Sequence, residues 1–257
     1  MNGVLRGYII KKMNFLDFPI IKRIYPSIAR RFLILINKTK LKHKLGGFVF
    51  NADIKDTIER TTYFRGDYEK TQMDFLKKNS IKYKTKIFLD IGSYIGYYSI
   101  LLSPLFEKVY SFEPQLTKFN SLNNNVSKNK LNHKITAYNF GLGDANLETF
   151  GEAVHRGKLL RSSGFHINPK GNEKIKICKG DDIFNLKNQN ISIKIDVEGF
   201  EYQVLKGLHK LLSLNKCFIQ IEVWKKNNDL INKILKDLKY KKVHSINDDK
   251  YYTNFYF

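Results

Sequence analysis

The chain has 257 residues, of which 42% are hydrophobic and 14% aromatic, and this composition supports one large core with an N-terminal extension. Two cysteines, Cys178 and Cys217, lie in apolar runs without Cys-x-x-Cys spacing, which argues against a disulfide framework and a zinc site. The apolar stretches fall short of the ~20 residues needed to span a bilayer and no cleavable signal pattern precedes them, so we expect a cytoplasmic protein.

The net charge of +21 permits binding to nucleic acid, to an anionic membrane surface or to negatively charged substrates. Because the lysines are spread over every segment instead of forming one stripe, we do not expect a dedicated nucleic-acid surface. The basicity is more concentrated in residues 1–45, where Lys22-Arg23 and Arg30-Arg31 flank apolar residues in a helix-compatible pattern. This basic N-terminal extension is compatible with peripheral membrane contact, although packing on the domain or partial disorder is the simpler expectation.

Residues 46–257 are predicted to form the main domain. Gly46-Gly47 followed by Phe48-Val-Phe50 predicts a turn into a short strand, and Gly66-Asp67 precedes a predicted helix from about Tyr68 to Asn79. Strands and helices then alternate from Ile87. The predicted strands end near Leu89, Phe112 and Phe140, and the predicted helices end near Leu105 and Lys128. This alternation predicts a parallel sheet covered by helices on both faces.

An insertion at about 147–180, with glycines breaking short extended pieces, interrupts the alternation. The rhythm then resumes with predicted strands and helices over Ile191–Ile195, Glu201–Leu212, Cys217–Val223 and Asp229–Leu238. The final runs, 241–246 and 251–257, flank a segment with the composition of a hairpin turn. The sequence therefore predicts an α/β fold with an antiparallel last strand.

A glycine loop, Asp90-Ile-Gly92-Ser93-Tyr94-Ile-Gly96, connects the strand at Ile87 to the following helix. Gly92 allows a turn conformation closed to other residues, and Gly96 removes a side chain where the helix approaches a ligand or the sheet. The Gly-x-x-x-Gly spacing differs from that of a dinucleotide site, and the Asp90 carboxylate would repel phosphate but receive an ammonium or sulfonium group. Because S-adenosylmethionine carries both groups, we interpret the loop as a site for that cofactor.

A second acid supports this interpretation. Lys108-Val-Tyr-Ser-Phe112 is predicted as the next strand, and Glu113-Pro114 ends it at about the ~20-residue distance from Asp90 at which an acid meets a ribose hydroxyl pair. For the glycine loop alone, the alternative is an ordinary tight turn between a strand and a helix.

Charged residues are also concentrated at the end of a later strand, in Lys194-Ile-Asp196-Val-Glu198-Gly199-Phe-Glu201. Asp196 is predicted at the carboxyl edge of the sheet, beside the glycine loop. The alternative is a structural Lys194–Asp196 ion pair, with Glu201 in the first turn of the next helix. Glu222 ends the following strand at the same edge, unless it pairs with Lys225 or Lys226.

These residues resemble the FkbM-type S-adenosylmethionine-dependent methyltransferases, many of which act on hydroxyl groups of sugars, polyketides or other small molecules. The resemblance covers roughly Tyr68 to the C-terminus. It rests on the segments Gly66–Glu69, Phe88–Ser99, Phe112–Pro114, Lys194–Glu201 and Ile221–Glu222. This chain departs from the family pattern at Ser93, where alanine is frequent, and at Cys178-Lys-Gly-Asp181-Asp182, which replaces Thr-Leu-Asp-Asp.

The resemblance implies a Rossmann-like class I methyltransferase fold, with a mainly parallel seven-stranded sheet and an antiparallel last strand. It implies S-adenosylmethionine as the cofactor. The candidate cofactor-binding residues are Glu69, Asp90, Gly92, Ser93, Tyr94, Gly96, Glu113, Pro114, Gly143 and Asp144.

The implied reaction is transfer of the sulfonium methyl group to a hydroxyl of a sugar, a glycan or a small metabolite. Asp196 is the first candidate for the base or the acceptor-orienting group, Glu198 and Glu222 come next, and Lys194 tunes Asp196 through its charge. Asp196, Glu198 and Glu222 offer oxygen ligands that suit magnesium. Because no histidine lies nearby in the sequence, we rank a metal second.

Three other functions remain alternatives. An NAD-type oxidoreductase is disfavoured by the glycine spacing and by Asp90. An RNA methyltransferase fits the charge, but the sequence has no Asn-Pro-Pro-Tyr-like motif to clamp a base. A basic binding module that keeps the fold as a scaffold is disfavoured by the acids at both strand edges. The N-terminal extension and the insertion are expected to determine the acceptor.

Overall fold

The computed structural model describes residues 28–155, 162–247 and 250–257. These residues form two compact units. The first contains residues 28–68, 155 and 162–163, and the second contains the remaining described residues. Within the described part of the chain, no helix is both long and apolar enough to cross a membrane.

The first unit contains a helix at 28–35 and a β-hairpin followed by a helix. Strands β1 (Lys40–Leu45) and β2 (Phe48–Asp53) pair in antiparallel register around the turn at Gly46-Gly47. Helix α1 (Thr57–Arg65) begins at Asp56, whose carboxylate accepts hydrogen bonds from two backbone amides of the first turn, and ends at Gly66 in the left-handed conformation. The boundary predicted at residue 45 falls at the hairpin turn, and neither β1 nor α1 was predicted.

The second unit is built on a sheet in the order β12-β13-β11-β10-β3-β4-β5. Its central strands are parallel, whereas β13 is antiparallel to both of its neighbours. The strands are β3 (Ile87–Ile91), β4 (Lys108–Phe112), β5 (Ile135–Tyr138), β10 (Asn190–Ile195), β11 (Lys216–Trp224), β12 (Lys242–Asn247) and β13 (Tyr251–Tyr256). The predicted α/β fold on a large, mainly parallel sheet, with an antiparallel last strand, is confirmed.

Helices alternate with these strands along the chain, as in other α/β folds. They are α2 (Lys70–Lys82), α3 (Tyr97–Leu102), α4 (Leu116–Lys128), α5 (Gly180–Ile183), α6 (Glu201–Gly207), α7 (His209–Leu214) and α8 (Asn228–Asp237), with 3₁₀ turns at Ser103–Leu105 and Lys225–Asn227. The single helix predicted over 201–212 is two helices that meet at Leu208, which is buried in the core.

The three strands of the insertion and the preceding strand β6 form a four-stranded sheet in the order β6-β9-β7-β8. Its strands are β6 (Gly141–Gly143), β7 (Leu147–His155), β8 (Ser162–Ile167) and β9 (Glu173–Lys179). The prediction of short strands and loops at about 147–180 is confirmed. The sequence did not indicate that β6 would pair with β9, because a strand of three residues is too short to show a hydrophobic periodicity.

The core of the second unit lies between the parallel strands and the helices that cover them. Strands β3, β10 and β11 are almost fully buried, which is why their sequences are near-continuous apolar runs. The hydroxyl of Ser192 on β10 is buried but lies 2.7 Å from that of Ser80 and 2.8 Å from that of Thr85. The carboxyl ends of β3, β10 and β11 lie at the same edge of the sheet, and that edge carries the candidate site.

Candidate active site

The glycine loop between β3 and α3 is held to two other segments of the sheet edge. The backbone amides of Gly92 and Ser93 both donate to the carbonyl oxygen of Phe112 at 3.0 Å. Gly92 has a φ of +82°, and a Cβ there would overlap the carbonyl oxygen of Asp196. Gly92 therefore permits both the turn and the close approach of the loop to the end of β10.

Gly96 permits a helix contact. Its φ is +90°, and a Cβ at this position would collide with the side chain of Leu122 on α4. Both glycines thus face protein atoms. The loop also contains Tyr94 in the left-handed conformation, with a φ of 54°.

Asp90 lies in β3, next to the glycine loop, and its role of receiving a cationic group of the cofactor stays a prediction. Its carboxylate is fully buried and accepts hydrogen bonds from the backbone amide and the hydroxyl of Ser99, which in turn lies 2.6 Å from the hydroxyl of Ser111. Burial raises the pKa of Asp90 above its ordinary value. Ser93 is also buried, and its hydroxyl donates to the Asp90 carbonyl oxygen at 2.6 Å. Both side chains anchor the loop to the sheet.

Glu113 lies at the carboxyl end of β4, where the sequence placed it. One carboxylate oxygen accepts the Tyr94 amide at 2.8 Å and the other accepts the Gln115 amide at 2.9 Å. Burial raises the pKa of Glu113 to about 7. The Lys118 ammonium lies 4.4 Å from the Tyr94 ring centroid and donates to its hydroxyl at 3.0 Å, so Tyr94 is fixed against α4.

Three other predicted cofactor residues, Pro114, Gly143 and Asp144, make contacts within the protein. Pro114 lies next to Gly141, at ordinary van der Waals distance from where a Cβ would be. Gly143 is buried, and a Cβ on it would crowd Ile177 and Phe200. Asp144 forms a 2.7 Å ion pair with Lys206, whose hydrogen bond lowers the pKa of the carboxyl.

The end of β10 carries an ion pair between a buried lysine and a partly exposed aspartate. The Lys194 ammonium lies 3.0 Å from the Asp196 carboxylate and 4.8 Å from the centroid of the Tyr98 ring. Burial lowers the pKa of Lys194, but the carboxylates of Asp196, Asp90 and Glu69 outweigh it and hold that pKa above its ordinary value. Lys194 is therefore a fixed positive charge in an acidic environment.

Three carboxylates meet beside Lys194. Glu69, Asp196 and Glu222 each offer an oxygen, and the three oxygens lie within 4.8 Å of one another. Burial, reinforced by the Asp196 and Glu69 carboxylates, raises the pKa of Glu222 to about 9. Glu222 consequently holds a proton at neutral pH and can donate a hydrogen bond. We call Glu69, Asp196 and Glu222 the acid triad.

Glu69 in this triad takes the place that the sequence analysis gave to Glu198. Glu69 precedes α2 in the left-handed conformation, and its carboxylate accepts a 2.9 Å hydrogen bond from the Tyr98 hydroxyl. Glu198 has a φ of 51°, and its carboxyl group packs against Gly164 on β8, where a Cβ would overlap it. Glu198 therefore lies against the insertion.

Glu201 caps the turn that follows. Its carboxylate accepts the Gly199 amide at 2.8 Å, and Gly199 itself has a φ of +105°. Burial raises the pKa of Glu201 to about 7. This geometry fits the alternative interpretation, in which the Glu201 carboxylate lies in the first turn of the helix and interacts favourably with the helix dipole.

The sequence model of the Methyltransferase FkbM domain family matches residues 90–242. The chain belongs to this family. The matched residues therefore include the glycine loop, Glu113 and the insertion sheet. They also include Asp196 and Glu222 of the acid triad, whereas Glu69 precedes them in the sequence.

The proteins that this chain is similar to include the following two. The hexuronic acid methyltransferase AglP of Haloferax volcanii is 27% identical over 155 residues, which cover 58% of this chain and 61% of that protein. The crystal structure of methyltransferase FkbM from Methylobacillus flagellatus KT superposes with a TM-score of 0.51 at 22% identity, covering 67% of this chain and 44% of that one. The chain thus spans less than two thirds of either protein, and the second likeness concerns the fold.

Sequence reasoning did not assign two residues of the candidate site, Tyr98 and Gln220. The Gln220 amide donates to the Tyr98 hydroxyl at 3.0 Å, and that hydroxyl donates to Glu69. Burial and the Glu69 carboxylate raise the pKa of Tyr98 well above its ordinary value, so the hydroxyl keeps its proton. A glutamine in an otherwise apolar central strand was the available signal, since a buried amide needs a partner.

Proposed function

We propose that this FkbM methyltransferase uses S-adenosylmethionine to methylate a hydroxyl group of a sugar or glycan. One observation supports this most: the same loop contacts both candidate acids. The Tyr94 amide donates to Glu113, and Gly92 abuts the backbone of Asp196. A ligand held by the loop and Glu113 would therefore lie beside Lys194 and the acid triad.

The hydrogen-bonding groups at this edge of the sheet fit the cofactor. Each Glu113 oxygen accepts one backbone amide and retains a further lone pair, so the carboxylate can accept both hydroxyls of a ribose. When bound, S-adenosylmethionine supplies an activated methyl group on a sulfonium. The negatively charged members of the acid triad favour a cation near them.

The chain's own residues then have to orient the acceptor and remove its proton. We assign Asp196 as the base that accepts the hydroxyl proton as the oxygen–methyl bond forms and the sulfur–methyl bond breaks. Glu222, protonated at neutral pH, orients the acceptor by donating a hydrogen bond. Lys194 holds Asp196 in position, and the Gln220–Tyr98–Glu69 chain holds the third carboxylate.

The acceptor class is inferred from the relative. AglP carries the name hexuronic acid methyltransferase, and a hexuronic acid offers several hydroxyl groups. We therefore expect transfer of labelled methyl groups to oligosaccharides that contain hexuronic acid, measured by mass spectrometry of the sugar. Labelling of RNA instead, with no labelled sugar, would favour the RNA methyltransferase alternative.

We expect Glu113→Ala to weaken binding of S-adenosylmethionine by about 10- to 100-fold, because two hydrogen bonds to a charged group are lost. Isothermal titration calorimetry measures this directly. Since the carboxylate is the form that accepts both ribose hydroxyls, wild-type affinity should rise as the pH passes upward through about 7, and this rise should be absent in the variant.

Glu148→Ala is the matched control, because Glu148 is an exposed acid paired with Lys174 on the insertion sheet. It should bind S-adenosylmethionine as the wild type does, and NAD should bind to neither. Failure of the wild-type protein to bind S-adenosylmethionine would contradict the proposed function and favour a scaffold role.

The acid triad is also the place where magnesium would be held. Its three oxygens are within chelating reach, but the Lys194 ammonium already neutralises Asp196 at 3.0 Å. We therefore keep the metal as the second choice and expect methyl transfer to persist after exhaustive chelation and dialysis. Loss of turnover on chelation, with recovery on adding magnesium, would make the triad a metal site.

A further inference from the structure

An exposed apolar row runs along the helix at 28–35 in the first unit. Ile28, Phe32, Leu35 and Ile36 are 61%, 59%, 82% and 42% exposed. Their spacing of four, seven and eight residues from Ile28 places them on one helical face. A row of four large apolar side chains facing water is unfavourable unless another surface covers it.

The helix end next to this row is well defined. The amide of Lys38 donates to the Leu33 carbonyl at 2.8 Å and that of Asn37 to the Ile34 carbonyl at 3.0 Å, and Asn37 has a φ of 58°. This is the hydrogen-bond pattern of a Schellman motif. The chain is therefore directed from the helix into β1 by a fixed turn.

Strand β1 presents a row of positive charges. Lys40, Lys42 and Lys44 are exposed, while the alternate residues His43 and Leu45 are buried, so the three ammonium groups share one face of the strand. Arg31 on the helix is exposed as well, and no acidic residue occurs between positions 28 and 52. The apolar row is thus followed in the sequence by three exposed cations, with no acid among them.

We propose that the helix at 28–35 and the lysine face of β1 together dock this protein on an anionic lipid bilayer. An interfacial helix buries an apolar stripe among the acyl chains while basic residues meet the lipid phosphates and carboxylates. A nucleic acid would match the charge but leave the apolar row in water. The occupant that satisfies both features is an anionic membrane surface.

Vesicle co-sedimentation of the full chain tests this proposal. The protein should bind phosphatidylcholine vesicles that contain about one third phosphatidylglycerol, should not bind phosphatidylcholine alone, and should be released at about 1 M salt. Phe32→Ser/Leu35→Ser should weaken binding about tenfold or more, because two exposed anchors are lost. Ile81→Ser/Leu230→Ser, which changes exposed apolar residues of the second unit, should leave binding unchanged.

The charge contribution has its own matched pair. Lys40→Gln/Lys42→Gln/Lys44→Gln should weaken vesicle binding, whereas Lys77→Gln/Lys78→Gln/Lys84→Gln removes the same charge from exposed lysines of the second unit and should have little effect. Equal loss in both triple variants, or equal binding by the Phe32/Leu35 variant and the wild type, would show non-specific attraction by net charge and overturn the proposal.

Other occupants of the row would give a different signal. Both native cysteines are buried, so an environment-sensitive dye can be attached selectively to Leu35→Cys. The dye should report water in the free protein and an apolar environment when anionic vesicles are added. An apolar signal without vesicles would overturn the proposal: one that grows with protein concentration indicates a second copy of the chain, and a constant one indicates residues 1–27. Tight binding of RNA that is insensitive to Phe32→Ser/Leu35→Ser, without vesicle binding, would also overturn it.

Discussion

Asp196→Asn is expected to lower kcat by about 10²- to 10⁴-fold, the usual contribution of a positioned general base. The asparagine keeps the size and the hydrogen-bonding reach of the side chain but cannot accept the proton of the acceptor hydroxyl. Because Glu113 and the glycine loop are unchanged, binding of S-adenosylmethionine should be retained. Single-turnover methyl transfer and calorimetry on the same protein measure the two effects separately.

Glu222→Gln provides the comparison for Asp196→Asn. With a pKa of about 9, Glu222 is protonated at neutral pH, and glutamine preserves a neutral donor at its position. We therefore expect a far smaller loss of kcat than for Asp196→Asn. Full turnover by Asp196→Asn would remove Asp196 from the mechanism, and a greater loss in Glu222→Gln would transfer the role of base to Glu222.

Lys194→Met is expected to lower the free energy of unfolding by up to about 3 kcal/mol, the lower end of the range found when one partner of a fully buried ion pair is removed, because the Asp196 side chain is 23% exposed. The methionine fills a similar volume, so the main change is electrostatic. It leaves Asp196, and the nearby Asp90 and Glu69 carboxylates, without the ammonium that balances them. Urea unfolding followed by circular dichroism measures the loss.

Two further variants separate the buried charge from a general effect of removing a lysine. Lys206→Met breaks the exposed pair with Asp144 and should change stability far less, because that pair is solvated. Lys194→Met/Asp196→Asn should recover part of the stability lost in Lys194→Met, since the unpaired charge is then removed. If Lys194→Met unfolds at the same urea concentration as the wild type, the ammonium does not stabilise the folded site.

Several features of the site follow from local sequence. The strand-turn-helix pattern around Gly92, the acid after β4, the acid after β10 and the acid near the end of β11 were all predicted, because each one lies next to an apolar run of strand length. Since parallel strands end at the same edge of the sheet, the convergence of Glu113, Asp196 and Glu222 was also foreseeable.

The direction and environment of individual side chains were not predictable in this way. The sequence did not show that the Asp90 carboxylate would be fully buried and would accept hydrogen bonds from Ser99. Glu198 was expected beside Asp196, but a left-handed backbone directs it to Gly164. Tertiary hydrogen bonds decided the first case and a backbone conformation the second, and residue spacing carries no information about either.

By itself, the sequence determined the α/β alternation, the edge of the sheet that bears the site and most of the acids that lie there, because hydrophobic periodicity and strand ends are local properties of the chain. The tertiary structure alone decided that Glu69 joins Asp196 and Glu222, that Tyr98 and Gln220 support it, and that Glu222 holds a proton at neutral pH. Burial and the fields of neighbouring charges set these properties, and both arise when segments distant in sequence are brought together.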